Sequence, residues 1–389
     1  MDDALKQDIK NAIEHSGFPL EHYVDVILRK HNWQTITNRH YIDDVKGVER
    51  EIDIIAYKVE KDDVEKVEYI TTLIISCKKS TTSKWCFLTR DANHNDVNID
   101  WTPYHCCTND KVLSYMTKNH RNIIIDRYLN HRAIKHLYNF DKRVFAYQVL
   151  TENITKQNKK EERHWVITKN DALHDSIITP IKALDMEKRS RIEKHNNRPY
   201  NRYYTFHILS IFDGDMIQTH LDKDGEIDSA EITHINYLNR HIVNKIDDFY
   251  IVNFIKKDIF DYRLRLFDYL HQENARTLPK LITSFYENIF DDKDKLGMFW
   301  KSFEDAIKED VRIIINGAIP QATINSISIT PIKKLDMLEL NVSYHPLIDD
   351  DVMRTLNEDE YLQRYVKQLL KQYFRYEGNF IFVEEDLPF

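Results

Sequence analysis

The sequence predicts an α/β fold, a mixed sheet flanked by helices, joined at its C-terminal end to a mainly helical α+β module. Three features predict this. A helical apolar pattern near the start gives way to strand patterns. Two of those strands, "EREIDIIAYK" and "EYITTLIISCKK", are separated only by the acidic turn "VEKDDVEK" and so form a hairpin. After about residue 275 the pattern changes to amphipathic helices.

The elements follow in order. In "PLEHYVDVILRKHNW", Pro19 suits a first helical turn, and Leu20, Val24, Ile27 and Leu28 recur at helical spacing. "WQTITN" reads as a short strand, the hairpin follows, and "KWCFLT" reads as a further short strand. Helices are expected around 110–118 and 123–138, and strands at 143–150, 163–168, 203–220 and 230–238. The segment 186–204, rich in Arg, Asn and Tyr with little apolar periodicity, reads as an exposed basic loop. A strand pair is expected near 311–316 and 322–343, then a long final helix whose stripe runs from Tyr361 and Leu362 to Tyr373 and Phe374. The expected division is 1–150, its α/β continuation 151–275, and an acidic module 276–389. "TPIKALDM" (179–186) and "TPIKKLDM" (330–337) match at seven of eight positions, which reads as coincidence or a reused turn and helix start.

Composition narrows the function. With 389 residues and 42% hydrophobic content the chain can bury a sizeable core. No stretch resembles a membrane span. The acidic opening "MDDALKQDIK" lacks the order of a signal peptide. Four cysteines, two of them adjacent, form neither a disulfide framework nor a zinc pair. A reduced, cytoplasmic protein is expected. The net charge of −8 is uneven: residues 1–100 carry −5, residues 101–210 carry +9 and the remainder −12. A basic middle fits either a polyanion partner or a solvated face.

The chemistry concentrates in the hairpin. Glu51 and Asp53 share one face of their strand, and Ser76 and Lys78 share one face of theirs, because the side-chain period is two. Carboxylates so placed hold Mg²⁺ or Mn²⁺ through oxygen, and an adjacent lysine orients water or neutralises phosphorane charge. Glu21 sits on an otherwise apolar helix stripe, as an acid at the core's rim or one aimed at the metal site.

A helix acid in "GFPLEHYVDVILRKHNW", then "EREIDIIAYK", then "LIISCKKS" followed by "KWCF", resembles the PD-(D/E)XK nuclease superfamily, in its restriction-endonuclease-like, Mrr-type branch. The likeness covers roughly residues 14–90. It implies a restriction-endonuclease-like sheet, Asp53 as metal-binding acid, Lys78 as catalytic lysine and Glu21 as accessory acid. It also implies Mg²⁺-dependent hydrolysis of DNA in prokaryotic antiviral defence, with RNA, a homo-oligomer or a defence-complex subunit as further partners. The family's second acid falls on Ser76, which carries no charge. Glu51, Glu21 or a downstream acid, Asp91, is then needed; otherwise the chain is an inactive nuclease-fold binding or scaffold subunit.

Weaker signals surround this core. Lys79, Arg189, Arg191, Arg198 and Arg202, with Tyr200, Tyr203 and Tyr204, are candidates for backbone neutralisation and base stacking. Arg121, Arg127, Arg132 and Lys135 fit phosphate contact or a solvated helix face equally. "HLDKDGEIDSAE" has calcium-loop spacing, but its strand-like flanks make it a hairpin turn. No Gly-rich phosphate loop or nucleophile elbow is present.

Overall fold

A computed structural model describes residues 2–385 apart from 44–46, 93–103, 120–124, 127–129, 139–140, 158–159, 194–198, 319–323, 325 and 346–351. The chain divides into two compact units, Met1–Pro279 and Lys280–Phe389.

The first unit is built on one mixed ten-stranded sheet. Helices α1 (Asp3–His15) and α2 (Phe18–Lys30) come first, with Pro19 in the opening turn of α2. Leu20, Val24, Ile27 and Leu28 are the buried residues of α2, as their spacing predicts; each contributes about 2 kcal/mol by leaving water. Strands β1 (Gln34–Asp43), β2 (Val48–Asp62) and β3 (Val67–Asp91) follow. The pairing of β2 with β3 is antiparallel, and the spine of the sheet runs β1-β2-β3-β7-β10-β9. Its β7 (Asn201–Leu221) and β10 (Ile246–Lys256) join in parallel pairs, β3 with β7 and β7 with β10. The remaining strands are β4 (His105–Thr108), β5 (Lys142–Gln157), β6 (Lys160–Thr168), β8 (Ile227–Ile232) and β9 (His234–Val243).

"LIISCKKS" lies in β3, between β2 and β7. From Val67 to Cys77 every residue is buried, which is why this run is apolar rather than alternating. "KWCFLT" is no separate strand but the second half of β3, resumed after a bulge. Between Lys79 and Lys84 the chain of β3 advances five residues while β7 advances two, from Asp213 to Asp215. Ser80 staples this bulge, its hydroxyl accepting from Ser83 N–H at 3.0 Å. Gly214 lies opposite, where a Cβ would stand 2.7 Å from the Ser80 carbonyl oxygen and 2.5 Å from the Phe212 ring.

Helix α3 (Lys111–Asn119) follows β4, and α4 (Asp171–Glu193) packs Leu173, Ile177, Ile181 and Leu184 into a core with Ile74, Trp85, Phe206 and Phe254. This corrects the expected loop at 186–204: its first part is the end of α4, and β7 begins at Asn201. Of the helix expected at 123–138, Ile134–Leu137 forms a 3-10 turn, and 123–124 and 127–129 lie outside the described residues. The calcium-like loop is a hairpin turn between β7 and β8. Helix α5 (Phe260–Glu287) ends this unit and carries the chain across the division.

The second unit contains α6 (Lys293–Ala318), β11 (Ser326–Lys333), β12 (Met337–His345), α7 (Val352–Glu358), α8 (Glu360–Phe374) and β13 (Asn379–Glu384). Residues 311–316, read as a strand, are helical: Phe303, Ile307, Val311 and Ile315 form a buried stripe at four-residue spacing. The final helix stands as expected, burying Leu362, Val366, Leu369, Leu370 and Phe374. Trp300 Nε1 donates to the Ile329 carbonyl at 3.0 Å, tying α6 to β11. Among the described residues, no helix is long and apolar enough to cross a membrane.

Candidate active site

Strand β3 changes neighbours along its length. Its ladder with β2 ends at Ile54–Ile75, and its ladder with β5 begins at Ser83. Over 76–82 that edge of β3 has no strand partner among the described residues. Backbone donors in such a gap need another acceptor. Asp53 supplies one: its Oδ2 accepts the Cys77 N–H at 2.5 Å and the Ser76 hydroxyl at 3.3 Å. Lys78 Nζ stands 3.7 Å from the same oxygen, with both side chains partly exposed. Asp53 Oδ1 makes no hydrogen bond or ion pair among the described residues.

Glu21 and Glu51 join this group. The Glu21 carboxyl is raised above its ordinary value, first by burial, then by the charges of Asp53 and Glu51, with Lys78 acting the other way. Glu21 on α2 thus lies within electrostatic reach of Asp53, Glu51 and Lys78. Neither the Glu21 nor the Glu51 carboxylate has a hydrogen-bond or ion-pair partner among the described residues. The group holds three carboxylates and one ammonium. Such a donor set, hard oxygens with surplus negative charge, fits Mg²⁺ or Mn²⁺. Among the described residues no three His, Cys, Asp or Glu side chains already stand at metal-ligand spacing. Cys77 is buried and its thiol is pushed well up by burial and by Asp53 and Glu21, so it is no nucleophile.

Asp91 is not brought to the group. It lies exposed at the end of β3, 3.4 Å from His220 Nε2. Measured along β7, from Phe212 opposite Lys78 to His220 opposite Thr89, the separation is about 25 Å.

The basic candidates are largely held by the protein itself. Lys79 Nζ donates to the Glu14 carbonyl at 2.6 Å. Arg191 pairs with Glu187 at 2.8 Å and lies over the Tyr57 and Tyr204 rings. Arg202 pairs with Glu68 at 2.7 Å, and Arg189 with Asp185 at 2.9 Å. Tyr203 and Tyr204 are 1% and 2% exposed, so they are core residues and not stacking platforms. Tyr200 bonds Asp63. Arg198, Arg121 and Arg127 lie outside the described residues.

Sequence reading missed Lys257 and Asp213. Asp213 is the β7 residue opposite Lys79 and pairs with Lys257 at 3.2 Å, while that ammonium also lies over the Tyr23 ring of α2. No local signal identified them, because Lys257 reaches this rim only through the β7–β10 pairing. No family model, no curated protein and no solved structure matches the chain.

Proposed function

We propose that the first unit is a metal-dependent nuclease that hydrolyses DNA phosphodiester bonds, in prokaryotic defence against foreign DNA. The observation that carries this is the convergence of Asp53, Lys78, Glu21 and Glu51 at the gap in β3. In this reading Asp53, Glu21 and Glu51 hold Mg²⁺ or Mn²⁺. A cation held there would lower the pKa of a water and stabilise charge during displacement at phosphorus. The Lys78 ammonium orients the attacking water and offsets charge on the phosphoryl oxygens. Asp53 Oδ2 is fixed by Ser76 and Cys77, which leaves Oδ1 for the cation.

The test is incubation with plasmid, linear and single-stranded DNA, and with RNA, each with Mg²⁺ or Mn²⁺. Cleavage lost in both Asp53→Ala and Lys78→Ala supports the reading; cleavage surviving Asp53→Ala places the chemistry elsewhere. Ser76 favours a second reading, an inactive nuclease-fold subunit that binds nucleic acid or a defence-complex partner. DNA retention without cleavage under every metal condition is its signature.

A further inference from the structure

The hairpin of β5 and β6 projects beyond its support in the sheet. Its ladder to β3 stops at Thr151–Ser83, yet β5 and β6 stay paired as far as Gln157–Lys160. Because β5 runs antiparallel to β3, residues 152–157 head back past 76–82. That part of β3 has no strand partner on this edge among the described residues. The result is an arm of two-stranded ribbon, about 20 Å long, beside the gap that holds Asp53 and Lys78.

The two faces of the arm differ. Pairing puts Leu150, Glu152 and Ile154 of β5 on one face with Ile167, Trp165 and Arg163 of β6. On that face Ile154 is 47% exposed, Trp165 49% and Ile167 67%. The other face carries Asn153, His164 and the bonded pair Thr151 and Thr168. A polar face toward water is ordinary. Three large apolar side chains left open on a two-stranded ribbon call for an occupant.

Charge selects the occupant. The β6 alternation reads Arg163, Trp165, Ile167, Lys169, a cation at each end of an apolar pair. Arg163 stands 3.7 Å from Glu152, both partly exposed. Lys169 is exposed and has no ion-pair partner among the described residues. The next cross-strand pair, Lys156 and Glu161, adds one charge of each sign, so the face keeps a surplus of positive charge. Lys84 lies over the Trp165 ring, 5.2 Å from its centroid, and is tied to Asp215 at 3.3 Å and Glu231 at 3.6 Å. It steadies the indole rather than adding free charge. An aromatic ring between two cations suits a single nucleic acid strand, whose base stacks on the ring while its phosphates meet the cations. A duplex keeps its bases stacked on one another and offers the ring no free base.

We propose, resting on the nuclease reading above, that this arm grips an unpaired stretch of the substrate strand, with a base on Trp165 and phosphates on Arg163 and Lys169. Trp165 stands about 10 Å across the sheet from β3, just past the end of the β3–β5 ladder. A strand held there passes beside the gap rather than over the closed part of the sheet.

Fluorescence anisotropy of the full chain with a labelled single-stranded DNA and a blunt duplex of the same sequence, in EDTA so that nothing is cut, tests this. The single strand should bind saturably. Trp165→Ala should weaken it at least about fivefold, Trp165→Phe should keep most of the affinity, and the duplex should change less than about twofold. Arg163→Gln and Lys169→Gln should each lower the salt slope of single-strand binding by about 0.7, which keeps the test valid if the Trp165 variants misfold. Absence of saturable single-strand binding overturns the proposal. So does an affinity unchanged in Trp165→Ala, or a salt slope unchanged in both cation variants. Sedimentation in which Trp165→Ala dissolves a dimer while DNA affinity stays constant overturns it in favour of a second copy of the chain. Cleavage of the same single strand with Mg²⁺ separates the two readings. Cutting that Asp53→Ala abolishes, with binding indifferent to Trp165, overturns the arm alone. Binding that depends on Trp165 without any cutting upholds the arm and overturns the nuclease.

Discussion

Two charged groups on the same sheet differ in how their charges are matched. Glu187 on α4 is fully buried, and its carboxylate meets Arg39 at 2.5 Å and Arg191 at 2.8 Å. The Tyr57 hydroxyl also donates to it, at 2.9 Å. One acid is thus shared by two guanidiniums and a phenol. Around Asp53 the ratio is reversed, with three carboxylates facing one ammonium at a partly open strand edge. The first arrangement leaves nothing for a ligand and locks α4 to β1 and β2. The second lacks positive charge, which a divalent cation would supply. Proximity of acid and base is therefore a poor guide to chemistry; the balance of charge and the access to solvent discriminate.

Breaking each group tests that contrast. Glu187→Gln strands two guanidiniums and should cost about 3–5 kcal/mol in urea unfolding; a loss below about 1 kcal/mol would erase the distinction. Lys78→Ala should lower cleavage by about 10²–10³ while shifting the unfolding midpoint little. If it destabilises as much as Glu187→Gln, the Asp53 group is structural too. Ser76→Asp restores an acid opposite Asp53 and should lower the half-saturating Mg²⁺ about tenfold, roughly 1.4 kcal/mol. No change in the Mg²⁺ dependence of cleavage would mean that Ser76 does not border the cation.

The smallest effect belongs to Glu21. Because its folded value lies above the ordinary 4.5, the folded state holds this proton more tightly than the unfolded state. Its contribution to stability is full below about pH 4.5 and is lost as pH rises through the raised value. Denaturant unfolding between pH 4 and 7 should show this downward slope, removed in Glu21→Gln and reduced by saturating Mg²⁺. A slope identical in the wild type and the variant would place Glu21 outside the group.

Much of this was legible in sequence where spacing sets burial. The α2 stripe, the β2–β3 hairpin and the α8 stripe follow from periodicity alone. Asp53, Lys78 and Glu21 were readable for the same reason, being neighbours through local elements. Matching of charge was not readable. Arg191 and Arg202 look available in a basic stretch, yet their partners Glu187 and Glu68 are set by helix turn and strand register. The octapeptide pair shows the limit most plainly. "TPIKALDM" lies inside α4 with Leu184 1% exposed, whereas "TPIKKLDM" runs from β11 through a turn into β12 with Leu335 98% exposed. Tertiary surroundings, not the eight residues, choose the conformation. The same override turned 311–316 from an apparent strand into helix.

The bond from the Cys77 amide to Asp53 makes one backbone proton a natural gauge of the whole site. Any cation that draws charge from the carboxylate weakens that bond. The exchange rate of this single amide with deuterated solvent should therefore rise with metal loading, while the flanking amides of the β3–β7 ladder keep their protection. Occupancy then becomes measurable without a substrate, a cut product or a label, even in a chain that has ceased to cut.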